Sequence, residues 1–187
     1  YDAGCRYLQF DDVYWGSLCN NHLKPEFEAD KAQALENIQV VLADKPADML
    51  ITTHVCRGNF RSTYLLSGAY DPIADALFAK TNYDGYFLEY DDERSGGFEP
   101  LKYFAENPHK GKVVLGLISS KFPQLENKDS IKARIAEAAK YVPLEQLCLS
   151  PQCGFASTEE GNIMSEAQQW MKVRYVEEIA KEVWQEK

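Results

Sequence analysis

The stretch DMLITTHVC, residues 48–56, decides how the chain is read. Asp48–Thr53 forms an apolar, β-branched run of strand length. His54 and Cys56 follow it two positions apart, and an extended chain places residues i and i+2 on one face. An imidazole beside a thiolate, completed by a carboxylate and a second thiolate, makes a tetrahedral zinc set. Glu89 and Cys153 supply those two groups, each at or just past the end of another strand-like run. The predicted metal ligands are therefore His54, Cys56, Glu89 and Cys153, with Zn2+ as the ion.

Four further runs resemble Asp48–Thr53: Arg6–Phe10, Gly85–Leu88, Lys112–Ile118 and Gln146–Leu149. Helix-period segments alternate with them at Glu28–Ala43, Pro72–Lys80, Phe98 to about Glu106, Asp129–Tyr141 and Ser165–Trp184. Asp71 is the expected N-cap of the second segment, with Pro72 at its first helical position. Apolar strands alternating with helices predict an α/β fold with a parallel sheet covered by helices. A doubly wound sheet would favour a glycine-rich loop after the first strand, whereas this chain has Asp11-Asp12-Val13-Tyr14 there. The polar residues Asp11, His54, Cys56, Glu89 and Cys153 all fall at strand C-termini. A (β/α)8 barrel, the TIM barrel, gathers those ends around one mouth. With five strands in view, the expectation is one domain over residues 1–187. It would hold the C-terminal five βα units of the barrel, with the N-terminal units lying upstream.

The bulk properties exclude other classes. A net charge of −9 over 187 residues offers no basic face for nucleic acid or an acidic membrane surface. No apolar run has the length of a membrane span. Five scattered cysteines in a chain of this size suggest thiols in a reducing, cytoplasmic compartment rather than a disulfide framework.

Several residues also have plainer readings. Cys148 reads as core, and Cys5 and Cys19 as structural. His22 and His109 read as surface residues, and the run Asp91–Glu93 as a solvated acidic loop. Tyr14 and Trp15 either line the mouth or pack beneath it. Arg57 and Arg94, next to the ligands, either hold an anion or stand exposed.

His54-Val55-Cys56, Glu89 within FLEYDDERS, Cys153 within LSPQCGF and the run GNFRSTYLLSGAY together resemble the C-terminal catalytic barrel of cobalamin-independent methionine synthase. The likeness is greatest to the short, single-barrel branch of that family. It covers nearly the whole chain. The resemblance implies zinc on the four ligands above and methyl transfer to the thiol of homocysteine, giving methionine. It also implies that Asp11, in Gln9-Phe10-Asp11, holds the substrate amino group. One position departs from the family. Leu117-Ile118-Ser119-Ser120-Lys121 stands where full-length members carry an Asp-Ile-His-Ser-Pro run, so Ser119 takes the place of the histidine thought to protonate the methyl donor. A hydroxyl cannot serve as an acid near neutral pH as an imidazole does. Lys121 is a candidate proton donor or anion holder. The methyl donor is thus left open between methyltetrahydrofolate and a corrinoid, as is self-association of the chain. Two other readings also stay open, a related zinc barrel alkylating another thiol and a non-catalytic zinc- or thiol-binding barrel.

Overall fold

The computed structural model describes residues 1–156 and 158–185. Five strands form one parallel sheet: β1 Tyr7–Asp11, β2 Leu50–Val55, β3 Gly85–Glu89, β4 Lys112–Ile118 and β5 Leu147–Pro151. They lie side by side in chain order. A doubly wound sheet reverses direction at a switch point, whereas a barrel wall proceeds in one direction. This sheet is an arc of such a wall, and the outer edges of β1 and β5 carry no strand partner among the described residues.

The strand boundaries correct the expected ones in a consistent direction. β1, β2, β3 and β5 each extend one or two residues further toward the C-terminus than their apolar runs. Asp11, His54 and Glu89 are therefore strand residues rather than loop residues, because pairing in a parallel sheet continues after hydrophobicity ends. Asp11 lies directly opposite His54, and Glu89 opposite Gly116.

The helices are α1 Val13–Asn20, α2 Phe27–Leu42, α3 Asp71–Lys80, α4 Lys128–Ala138 and α5 Glu166–Trp184. α1 was absent from the sequence expectations. It is eight residues long, too short for its apolar set Trp15, Leu18 and Cys19 to repeat, and Asp12 caps it by accepting the Tyr14 N–H at 3.0 Å. The predicted helix at Phe98–Glu106 is instead a 3₁₀ helix, Glu99–Ala105. Asp71 is the first helical residue of α3 rather than its cap, which is Tyr70. α5 opens on a capping box in which Ser165 and Gln168 satisfy each other's backbone N–H groups.

Tyr86, Leu88, Val113, Leu115 and Leu117 are fully buried. The aromatic part of the core joins α3 to the 3₁₀ helix. There, Phe78 stacks on Phe104 with ring centroids 4.6 Å apart, and Tyr86 meets Phe104 edge-on at 4.9 Å. Trp15 belongs to this core and Tyr14 is exposed, which resolves their two readings. Cys19 is buried in the same core and Cys5 is exposed. Cys148, expected in the core, is only half-buried because β5 is an edge strand.

Candidate metal centre

The predicted ligands converge. One donor atom from each of His54, Cys56, Glu89 and Cys153 lies within 4.8 Å of every other. Three strand ends bring them there. β2 delivers His54 and, one residue beyond its end, Cys56; β3 ends on Glu89; and Cys153 stands two residues after β5. The spacing fits a tetrahedral ion. Zinc–sulfur bonds of about 2.3 Å at tetrahedral angles put two sulfurs about 3.8 Å apart, and Cys56 Sγ and Cys153 Sγ are 3.9 Å apart. His54 Nε2 is 3.6 Å from Glu89 Oε1.

Neighbouring groups orient three of the four predicted ligands. His54 Nδ1 hydrogen-bonds Asp11 Oδ1 at 3.0 Å, which leaves Nε2 facing the cluster in the carboxylate–histidine pattern common at zinc sites. Glu89 is fully buried, and its Oε1 accepts the Arg57 N–H at 2.8 Å. The Gly58 N–H points at Cys56 Sγ from 3.4 Å. Gly58 has φ +89°, and a Cβ there would meet Leu65 at 2.9 Å, so this turn under the thiolate requires glycine.

The electrostatics of the metal-free cluster follow from this crowding. Burial pushes the His54 imidazolium down, but the Asp11 and Glu89 carboxylates outweigh it and raise it to about 10. The hydrogen bond between the two thiols lowers Cys56 to about 7 and, together with burial, raises Cys153. The pair therefore shares one proton, held on Cys153. The hydrogen bond from His54 holds Asp11 below the ordinary carboxylate range.

The surroundings depart from the sequence reading at several residues. Asp11 is a partner of His54, although its side chain remains 67% exposed. Arg57 is neither exposed nor aimed at an anion. It is fully buried, with its guanidinium 4.5 Å above the Tyr70 ring and Nη1 donating to Gly68 O. Arg94 is also sequestered, paired with Asp91 and Asp92 and lying over Tyr64. Asp91 is not solvated, because its side chain is only 3% exposed and burial raises its carboxyl. Asp92 and Glu93 are exposed as expected. His22 is exposed, while His109 is half-buried and contacts Asp84. Ser119 donates its hydroxyl to Asp91 Oδ2 at 2.9 Å, and its N–H to Glu126 Oε1 at 2.7 Å.

Gln152 was missed. Its backbone oxygen meets His54 Nε2 at 3.2 Å, its amide nitrogen lies 3.5 Å from Glu89 Oε2, and its amide oxygen accepts from Ser120. Its position next to Cys153 was the only sequence signal. Beside the ligands, a cavity of about 220 Å³ is lined by Gln9, His54, Phe87, Ser150, Gln152 and Cys153. A donor set of two thiols, an imidazole and a carboxylate, buried except for the half-buried Cys153 and open to a small cavity, can bind a soft divalent ion and present it to a small thiol.

The sequence pattern of the family described as "Cobalamin-independent synthase, Catalytic domain" matches residues 1–174. YxjG and YxjH of Bacillus subtilis, both described as uncharacterized, are 52% and 51% identical over 191 residues, covering 98% of this chain and 50% of each relative. A Listeria monocytogenes protein described as a candidate vitamin-B12-independent methionine synthase is 46% identical. Its structure superposes with a TM-score of 0.76 over 98% of this chain and 50% of that one. A B12-independent methionine synthase from Shewanella sp. W3-18-1, solved with selenomethionine, shares the fold at 18% identity and a TM-score of 0.72, again over 98% and 50%. The chain spans about half the length of these relatives. Its α/β fold matches the C-terminal half of the methionine synthase barrel.

Proposed function

The chain belongs to the family of cobalamin-independent synthase catalytic domains, and from that premise we propose that it methylates the thiol of homocysteine, forming methionine, at a zinc ion held by His54, Cys56, Glu89 and Cys153. The observation that carries this reading is the convergence of those four donors within 4.8 Å. Zinc, when bound, supplies the means to hold an incoming thiol as its nucleophilic thiolate.

The remaining roles belong to side chains and backbone groups of this chain. Asp11 fixes the Nδ1 proton of His54, keeping Nε2 directed at the cluster. Its largely accessible carboxylate also faces the rim, where it can pair with the substrate ammonium. Gly58 N–H and Arg57 N–H hold Cys56 and Glu89 in place. The cavity lined by Gln9 and Phe87 has room beside His54 and Cys153 for a small amino-acid thiol. In the transfer, a sulfur–carbon bond forms as the donor–methyl bond breaks, and its electron pair stays on the donor.

Ser119 favours a donor that leaves without being protonated. Its hydroxyl is committed to Asp91, and no histidine stands in its place. A methyl on cobalt meets that requirement, whereas a methyl on a folate nitrogen does not. The test is turnover of homocysteine by the intact protein with methylcobalamin and with methyltetrahydrofolate, in wild type and Ser119→His. Cobalamin-dependent turnover in the wild type, with folate activity gained only on Ser119→His, is the expected result. Folate turnover unchanged by the substitution would sink the donor assignment. Absence of turnover with either donor, together with a zinc site indifferent to homocysteine, would leave a non-catalytic zinc barrel.

A further inference from the structure

Lys121 follows β4, and its side chain is only 3% exposed. Its ammonium group has no hydrogen-bond partner among the described residues. It lies 3.7 Å from Asp91 Oδ2 and 3.9 Å from Glu89 Oε2. The two carboxylates are not equivalent. Asp91 already has a close donor on each oxygen, Arg94 on Oδ1 at 2.9 Å and the Ser119 hydroxyl on Oδ2 at 2.9 Å. Glu89 turns one oxygen, Oε1, toward His54 in the metal cluster, while Oε2 meets only the Gln152 amide at the 3.5 Å limit. A buried ammonium without a close acceptor is costly. A charge-assisted contact forms at about 2.8 Å, so a shift of roughly 1 Å in Glu89 would close this pair.

We propose that Lys121 is a positioning residue that sets the hold of Glu89 on the metal, drawing its carboxylate away when a substrate thiol enters. The inference rests on the metal-centre reading above. Three anionic ligands, Cys56, Cys153 and Glu89, already exceed the charge of a divalent ion. A fourth, the substrate thiolate, adds to the excess unless one of the three leaves. Glu89 is the hard, oxygen ligand of the set and so the one that a soft sulfur displaces. Lys121 offers the departing carboxylate a buried counter-charge beside Oε2, the oxygen that does not face His54. In the exchange one metal–oxygen bond breaks, one metal–sulfur bond forms, and the thiol proton passes to solvent.

The test is zinc-edge X-ray absorption on the zinc-loaded intact protein, with and without homocysteine, alongside calorimetric titration. In the wild type, added homocysteine should raise the sulfur count from two to three while one oxygen neighbour is lost. In Lys121→Met the oxygen neighbour should persist, homocysteine affinity should fall at least tenfold, and zinc affinity should be unchanged or higher. Lys121→Arg, which keeps the cation, should restore the exchange. Should the Met variant fail to fold, Lys121→Gln carries the same expectation. Wild-type exchange in Lys121→Met or Lys121→Gln overturns the proposal. A wild type that gains no third sulfur overturns the methyltransferase reading itself, and this inference with it.

Discussion

At the residue scale, two of the four clustered donors hold protons that a bound metal would displace. His54, raised to about 10 by Asp11 and Glu89 against the pull of burial, is an imidazolium through the neutral range. Cys153 keeps the proton shared with Cys56, which is lowered to about 7. Zinc uptake near pH 8 should therefore release about two protons per ion, so apparent affinity climbs steeply between pH 7 and 10. Calorimetry in two buffers of different ionisation enthalpy measures that number, and a value near zero contradicts it. In the metal-free protein the raised His54 contributes stability that is fully present below about pH 6.5 and is lost as pH rises through about 10. Asp11 belongs to the same group of contacts. Asp11→Asn should weaken zinc binding by roughly 10–100-fold, the usual cost of losing a histidine's carboxylate partner, and should weaken homocysteine binding as well. Competition with a chromogenic chelator gives the first quantity, and substrate titration of the zinc-saturated variant gives the second.

At the element scale, α1 braces the metal centre from outside. A Cβ at Gly16 would sit 2.4 Å from Cys56 O and 3.3 Å from Leu66 Cδ1. Gly16→Ala should therefore push α1 off the end of β2, costing about 1–3 kcal/mol as overpacked sites do and lowering zinc affinity through the displaced Cys56 backbone. Chemical denaturation and zinc titration of the one variant check both parts. That brace was illegible in the sequence, since Trp15, Leu18 and Cys19 are buried without forming a long periodic stripe. The five strands were legible from their apolar runs, and the clustering of His54, Cys56, Glu89 and Cys153 because polar or thiol groups follow three of those runs within four residues. Asp91 and Lys121 were not. A charge run reads as solvated until a second element closes over it, and here Ser119, Lys121 and Arg94 do so from positions 3 to 30 residues away.

At the scale of the whole molecule, the four clustered donors come from the ends of β2, β3 and β5, so one ion held by them would tie together most of the sheet. Removing it should reach well beyond the site. At a free zinc concentration a thousandfold above the dissociation constant, binding adds about 4 kcal/mol to the folded state. Thermal unfolding before and after chelation should show a drop of several degrees, and Cys56→Ser should lie at the chelated value whether or not zinc is supplied. An unchanged melting temperature on chelation would mean that the four side chains do not hold the ion jointly. None of the described helices is long and apolar enough to cross a membrane.

The order of the strands has a consequence for how the protein is made. Because β1 to β5 lie side by side in the order in which the chain is written, each strand emerging from a ribosome meets its neighbour already in place. The four donors arrive in the same order, His54 with Cys56, then Glu89, and Cys153 only 64 residues after Glu89. A nascent chain stalled before β5 presents a three-ligand pocket with no fourth donor, so firm retention of the ion marks a chain whose synthesis has passed that point.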